Sequence, residues 1–86
     1  MKLNKFYSIS IIRVRYDYST KKEYVFETDD YLDATAEYEV FIKNETRFLS
    51  STNDPKENKN YMYSVVTFFS KMKGVVNQIT ISKGDK

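Results

Sequence analysis

The 86-residue chain contains no cysteine and no histidine, and it has only two glycines and one proline. Without cysteine there is no disulfide framework and no thiolate nucleophile, which fits a reducing compartment. Without histidine the commonest general base is missing, and the lack of both residue types removes most transition-metal sites. The two glycines, Gly74 and Gly84, cannot form a phosphate-binding loop. We therefore predict a protein that is not an enzyme and needs no cofactor or metal.

Long apolar runs are also missing. Behind the basic residues at the start of the chain, the apolar stretch is interrupted by Ser8, Ser10 and Arg13, so it is too polar for a signal peptide. No segment approaches the roughly 20 apolar residues of a membrane span. The sequence predicts a cytoplasmic protein without a membrane partner.

Aromatic residues are what the chain has in quantity, with eight tyrosines and six phenylalanines. A chain of this length buries only roughly 60–65% of its unfolded surface, so its core must use most of its large side chains. Tyrosine suits this role because its ring can be buried while its hydroxyl stays in water. We predict a single small globular domain over residues 1–86.

The net charge of +2 hides a division along the chain. Residues 1–22 and 58–86 are basic, whereas residues 23–57 carry ten acidic side chains against three basic ones. This asymmetry predicts separate basic and acidic surfaces, which steer partners without identifying them.

Two strands are predicted in the first third of the chain. In residues 6–18 the apolar positions change phase at Ile11 and Ile12, which indicates a β-bulge or burial on both faces. Residues 23–28 form the second strand. Keeping the aromatic residues on one face of the hairpin sets Arg15 opposite Glu27.

Two helices and a last strand follow. The first helix is predicted over 29–44, because acidic residues stand at its start and apolar residues recur at helical spacing. The second is predicted over 54–73, from the cap signal Asp54-Pro55-Lys56-Glu57 to Gly74. A strand over 61–70 is the alternative, but it leaves both faces apolar. With a strand at 75–82, the fold class is α+β, in the order β-β-α-α-β, with a three-stranded antiparallel sheet and two helices on one face.

An acidic row on the first helix is the first candidate site. Asp30, Asp33 and Glu37 are spaced to share one outer face, where they could enter a basic groove of a partner. The alternative is that they only complement the positive end of the helix.

A basic hairpin is the second candidate. Arg13 and Arg15 share one strand face, and Lys21 and Lys22 lie near the hairpin tip, a combination that suits a protein partner or the phosphates of a nucleic acid. The alternative is a solvated face paired with neighbouring acidic residues.

A narrow apolar stripe is the third candidate. Leu32, Ala36 and Val40 recur at i, i+4 and i+8, away from the predicted core face of the helix. The stripe is either covered by the second helix or exposed as a surface for a homodimer or another partner.

Residues 16–26, Tyr-Asp-Tyr-Ser-Thr-Lys-Lys-Glu-Tyr-Val-Phe, and the acidic helix start at 29–34, Asp-Asp-Tyr-Leu-Asp-Ala, resemble small accessory proteins of bacteriophages and other mobile elements. Among these, the chain is similar to anti-CRISPR proteins and other anti-defence inhibitors. The resemblance implies a non-enzymatic inhibitor or modulator that occludes a surface of a host protein or protein–nucleic acid complex. A nucleic-acid-binding accessory module and a small homodimeric structural protein are the alternatives.

Overall fold

The computed structural model describes residues 5–50 and 59–82, which form four strands and one helix. The elements are β1 Tyr7–Arg15, β2 Thr20–Thr28, α1 Tyr31–Ser50, β3 Tyr61–Ser70 and β4 Gly74–Ser82. All neighbouring strands are antiparallel, in the order β2-β1-β3-β4. The α+β class and the antiparallel sheet are confirmed, whereas the prediction of three strands and two helices is wrong.

The error lies in residues 61–70, which form strand β3 and not the second half of a helix. β3 is a central strand between β1 and β4. Ser64, Val66 and Phe68 are buried, and the residues between them are half-buried. The central position accommodates apolar residues on both faces, because α1 covers one face and the side chains of β1 and β4 flank those on the other, which stay half-buried. The cap signal at 54–57 lies outside the described residues, and Gly74, with φ of 78°, is the first residue of β4, directly after the β3–β4 turn.

Helix α1 is longer than predicted and runs to Ser50. The extension brings Glu45, Phe48 and Leu49 into the helix, at positions that continue the spacing of Ala34 and Tyr38. α1 packs on one face of the sheet, and the core forms between them. Its buried members come from β1, α1 and β3: Ile9, Ile11, Ala34, Tyr38, Val66 and Phe68. No helix in the described part of the chain is long and apolar enough to cross a membrane.

The pairing of β1 with β2 differs from the predicted register. Phe26 lies opposite Ile9 and Glu27 opposite Ser8, so the predicted pairing of Arg15 with Glu27 is wrong. A register shift does occur at Ile11 and Ile12, as the phase change indicated. The extra residue lies on the partner strand, because Tyr24 and Lys22 pair with β1 while the intervening Glu23 does not.

The β1–β2 hairpin turns tightly without glycine. The amide of Tyr18 donates to the carbonyl of Arg15 at 2.9 Å, and the amide of Arg15 donates to the carbonyl of Ser19 at 2.9 Å. Tyr18 has φ of 70°, the left-handed conformation that three-residue hairpin loops need at this position. Asp17 Oδ1 accepts hydrogen bonds from the hydroxyl and amide of Ser19, and these bonds lower the pKa of Asp17.

Replacing Tyr18 should stabilise the protein. The left-handed conformation costs an ordinary L-residue roughly 1–2 kcal/mol, and asparagine tolerates it better than tyrosine. Tyr18 is 77% exposed, so little packing is lost. We expect Tyr18→Asn to raise the free energy of unfolding by about 0.5–1 kcal/mol, a few degrees in thermal midpoint. Tyr16→Asn is the control, since Tyr16 is also exposed but has no positive φ. An equal gain in both variants would contradict the explanation.

Candidate functional site

The start of α1 is fixed by its acidic residues. Asp30 caps the helix, because its Oδ1 accepts the amide hydrogen of Leu32 at 3.0 Å. Asp29 Oδ1 accepts the amide hydrogen of Phe6 at 2.8 Å and so ties the helix start to β1. Part of the acidic row therefore has a structural task, in agreement with the helix-end alternative for Asp30.

The apolar stripe of α1, Leu32, Ala36 and Val40, lies on the side of the helix opposite the sheet. Leu32 is 73% exposed and Val40 is 44% exposed, and Ala36 between them is also exposed. The predicted second helix does not cover them, because its residues 61–70 form a strand of the sheet. Three apolar side chains one helical turn apart thus form a continuous exposed line along the first half of α1.

Carboxylates flank this stripe. Asp33 is exposed and Glu37 half-exposed beside it, and Glu39 is exposed on its other flank. The ten residues 31–40 contain no basic side chain, so the stripe lies in a negative surface. Asp33 and Glu37 of the predicted acidic row therefore form one surface with the predicted apolar stripe.

The structure places Arg13 in the interior and not on a basic surface. Its side chain lies on the face of the sheet that α1 covers, and the residue is 8% exposed. Arg13 Nε donates to Glu45 Oε2 at 2.5 Å, and Nη2 donates to Oε1 at 3.0 Å. Ser64 Oγ also donates to Glu45 Oε2, at 2.5 Å. The bidentate Arg13–Glu45 pair thus joins β1 to α1, and Ser64 joins both to β3.

The surroundings of the pair complete its charge balance. Glu23 Oε1 lies 3.3 Å from Arg13 Nη1 and 3.5 Å from Lys21 Nζ, close enough to compensate charge although it accepts no hydrogen bond within the described chain. The guanidinium carbon of Arg13 lies 3.8 Å from the ring centroid of Phe48. Burial lowers the pKa of Arg13, but the hydrogen bond and charge of Glu45 and the charge of Glu23 outweigh it, so the pKa is raised.

The remaining residues of the basic hairpin do not form one surface with Arg13. Arg15 Nη1 donates to Ser19 Oγ at 2.9 Å, and its guanidinium lies over the ring of Tyr61. Lys21 is paired with Glu23, while Lys22 is exposed on the edge strand β2. The nucleic-acid hypothesis built on Arg13 and Arg15 therefore loses its central residue.

A pocket of about 340 Å³ opens beside the buried pair, between α1 and the sheet. Its apolar wall is formed by Ile11, Tyr24, Phe41 and Phe48. Arg13 and Glu45 also line it, but they are hydrogen-bonded to each other, so the pocket does not offer an unpaired charge to a ligand. In the described ranges, no group of acidic side chains is placed to hold a metal ion.

No protein-family model, curated protein or solved structure matches this chain.

Sequence reasoning missed Glu45 and Ser64. The signal for Glu45 was present, since it lies 11 residues after Ala34 and seven after Tyr38, on the apolar face of a helix. A carboxylate at such a position indicates a buried partner, because an unpaired charge in the core is too costly. Glu45 was missed because the predicted helix ended at residue 44, one position before it.

Proposed function

We propose that this protein is a binding module that acts by contact with another protein and not by catalysis. The contact surface is the first half of α1, with Leu32, Ala36 and Val40 as apolar anchors and Asp33 and Glu37 as flanking charges. The observation that carries the proposal is the exposure of Leu32 and Val40 in one line on a helix that already has a buried face. An exposed apolar row rimmed by charged residues has the composition of a protein–protein contact surface.

The chemistry of this surface defines the partner. A helix that presents apolar residues at i, i+4 and i+8 fits a hydrophobic groove of another protein. The carboxylates on its flanks require basic residues along the rim of that groove, and they would repel the phosphates of a nucleic acid. The resemblance to small anti-defence inhibitors implies occlusion of a surface on a host protein, and a groove with a basic rim is the kind of surface that α1 would cover.

The test compares capture by matched variants. Immobilised wild-type protein, Leu32→Ser/Val40→Ser and Val25→Ser are exposed to nuclease-treated lysate, and retained proteins are quantified by mass spectrometry. Val25 is the control because it is an apolar residue 39% exposed on β2, away from α1. We expect the wild type and Val25→Ser to retain a specific protein in similar amounts. The amount retained by Leu32→Ser/Val40→Ser should be lower by at least about tenfold. Thermal unfolding of each variant checks that the domain stays folded.

A second variant tests the charges of the α1 surface, and its binding is measured with the same captured protein. Asp33→Lys/Glu37→Lys should weaken binding of that protein more at low salt than at high salt, because salt screens exposed charges. Equal retention by the wild type and Leu32→Ser/Val40→Ser would remove α1 from the contact. Retention that depends on leaving the nuclease out would show that nucleic acid is the partner.

A further inference from the structure

The two edges of the sheet differ in charge. β2, at one edge, carries Lys21, Lys22, Glu23 and Glu27, the kind of side chains that protect an edge strand from pairing with another chain. β4, at the other edge, has the sequence GVVNQITIS and carries no charged residue and no proline over its nine residues. Its one protective feature is a register shift near its start, where Val76 is the extra residue.

The β4 edge is also exposed. Val75 is 55% exposed, and Val76 and Ile79 are each 39% exposed. An edge strand presents the amide and carbonyl groups of alternate residues outward, where another strand can bind them. The regular part of β4, residues 77–82, therefore offers a row of backbone hydrogen-bonding groups flanked by uncharged and β-branched side chains.

We propose that β4 pairs antiparallel with β4 of a second copy of this chain and joins two sheets into one of eight strands. A second copy fits because β4 is uncharged over its whole length, so two copies can pair without bringing like charges together. The assembly closes as a dimer, since both outer edges of the eight-stranded sheet are then the charged β2 strands.

The symmetry of this pairing is restricted. Antiparallel pairing of identical strands in one sheet places the two-fold axis perpendicular to the sheet, so both α1 helices lie on the same side. Residues directly opposite each other share a face, so one residue must lie opposite its own copy, with the axis midway between the two. For residues 77–82 the central positions are Ile79 and Thr80. Ile79 lies opposite the buried Val66 and so on the α1 side, where two copies would form an apolar cross-strand pair.

The mass in solution is the first test. A single pair of strands buries less than the roughly 1,200–2,000 Å² of a standard interface, so we expect micromolar dissociation. Sedimentation equilibrium should show a species of twice 10.2 kDa that dissociates on dilution. Ile79→Lys should weaken the dimer at least about tenfold, because it sets two like charges near each other across the axis. Val25→Lys, on the other edge and equally exposed, should leave it unchanged. A monomer at about 1 mM overturns the proposal, as does a dimer insensitive to Ile79→Lys.

A cysteine scan tests the geometry independently of any destabilising variant. The chain has no cysteine, so one cysteine introduced in turn at each of residues 77–81 can form a disulfide only with its own copy. Directly opposite Cα atoms lie about 4.5–5.5 Å apart, within disulfide range, whereas a shift of two residues on each strand separates them far beyond it. We expect the yield to peak at Ile79→Cys or Thr80→Cys and to fall at Asn77→Cys. A uniform yield along the strand would overturn the proposed pairing.

Discussion

Glu45→Ala should cost about 3–5 kcal/mol of unfolding free energy, because it leaves the guanidinium of Arg13 buried without its bidentate partner. Glu45 is 1% exposed and Arg13 is 8% exposed, so the buried guanidinium would keep only Glu23 as a charged partner within the described ranges. A domain of this size has a total stability of roughly 4–13 kcal/mol. The loss is therefore a large share of the total, and urea denaturation at 25 °C measures it directly. Glu39→Ala, on the exposed side of the same helix, should change the stability by no more than about 0.5 kcal/mol.

A double substitution separates the cost of an unpaired charge from the value of the pair. Arg13→Met/Glu45→Leu removes both charges and fills the space with apolar side chains, and such replacements are often neutral or stabilising. Ser64 loses an acceptor and Glu23 a cation, so we expect the double variant to recover at least half of the loss rather than all of it. A double variant as unstable as Glu45→Ala would contradict this account, and so would a loss below about 1 kcal/mol in the single variant.

Phe68→Ala and Phe69→Ala should differ strongly, although the two residues are adjacent and identical. Phe68 is 3% exposed, and its ring centroid lies 5.6 Å from that of Tyr38 and 5.9 Å from those of Tyr7 and Tyr31. Its truncation leaves a cavity in the core and should cost about 3–5 kcal/mol. Phe69 is half-buried on the opposite face of β3, so we expect a cost of about 1–2 kcal/mol there.

This comparison also tests the strand assignment itself. On a helix, residues 68 and 69 are 100° apart and would share the wide apolar face that the sequence suggested, so their truncation would cost similar amounts. On a strand they point to opposite faces. Denaturant titration of both variants at one temperature gives the difference, and equal losses would contradict the structure.

The sequence predicted most reliably what depends on neighbouring residues. The hairpin and α1 exist, and α1 begins within two residues of its predicted start, because an N-cap and helical apolar spacing act over a single turn. The phase change at Ile11 and Ile12 correctly located an irregularity in the pairing. The stripe of Leu32, Ala36 and Val40 was also visible from spacing alone, whereas its exposure follows only from the structure.

The identity of residues 61–70 could not be decided in the same way. Their valines, aromatic residues and threonine favour a strand, but their apolar residues also fit a helical face. What decides the matter is that β1 and β4 pair with both sides of β3, and these contacts are made by residues distant in the sequence. The inward position of Arg13 has the same origin, because its partners Glu45 and Ser64 lie in α1 and β3.

The pairing of β1 with β3 has a consequence for the way the chain folds. The β1–β2 and β3–β4 hairpins each join strands that are adjacent in the sequence, and they can form early. The two hairpins meet only at the centre of the sheet, where Tyr7 pairs with Ser70 and Arg15 with Tyr61. Closing the long loop between β1 and β3 costs conformational entropy before the stabilising contacts between these strands are made. Pairing of β1 with β3 should therefore limit the folding rate. Until it forms, the unpaired β1 and β3 edges of the two hairpins can associate with another protein chain.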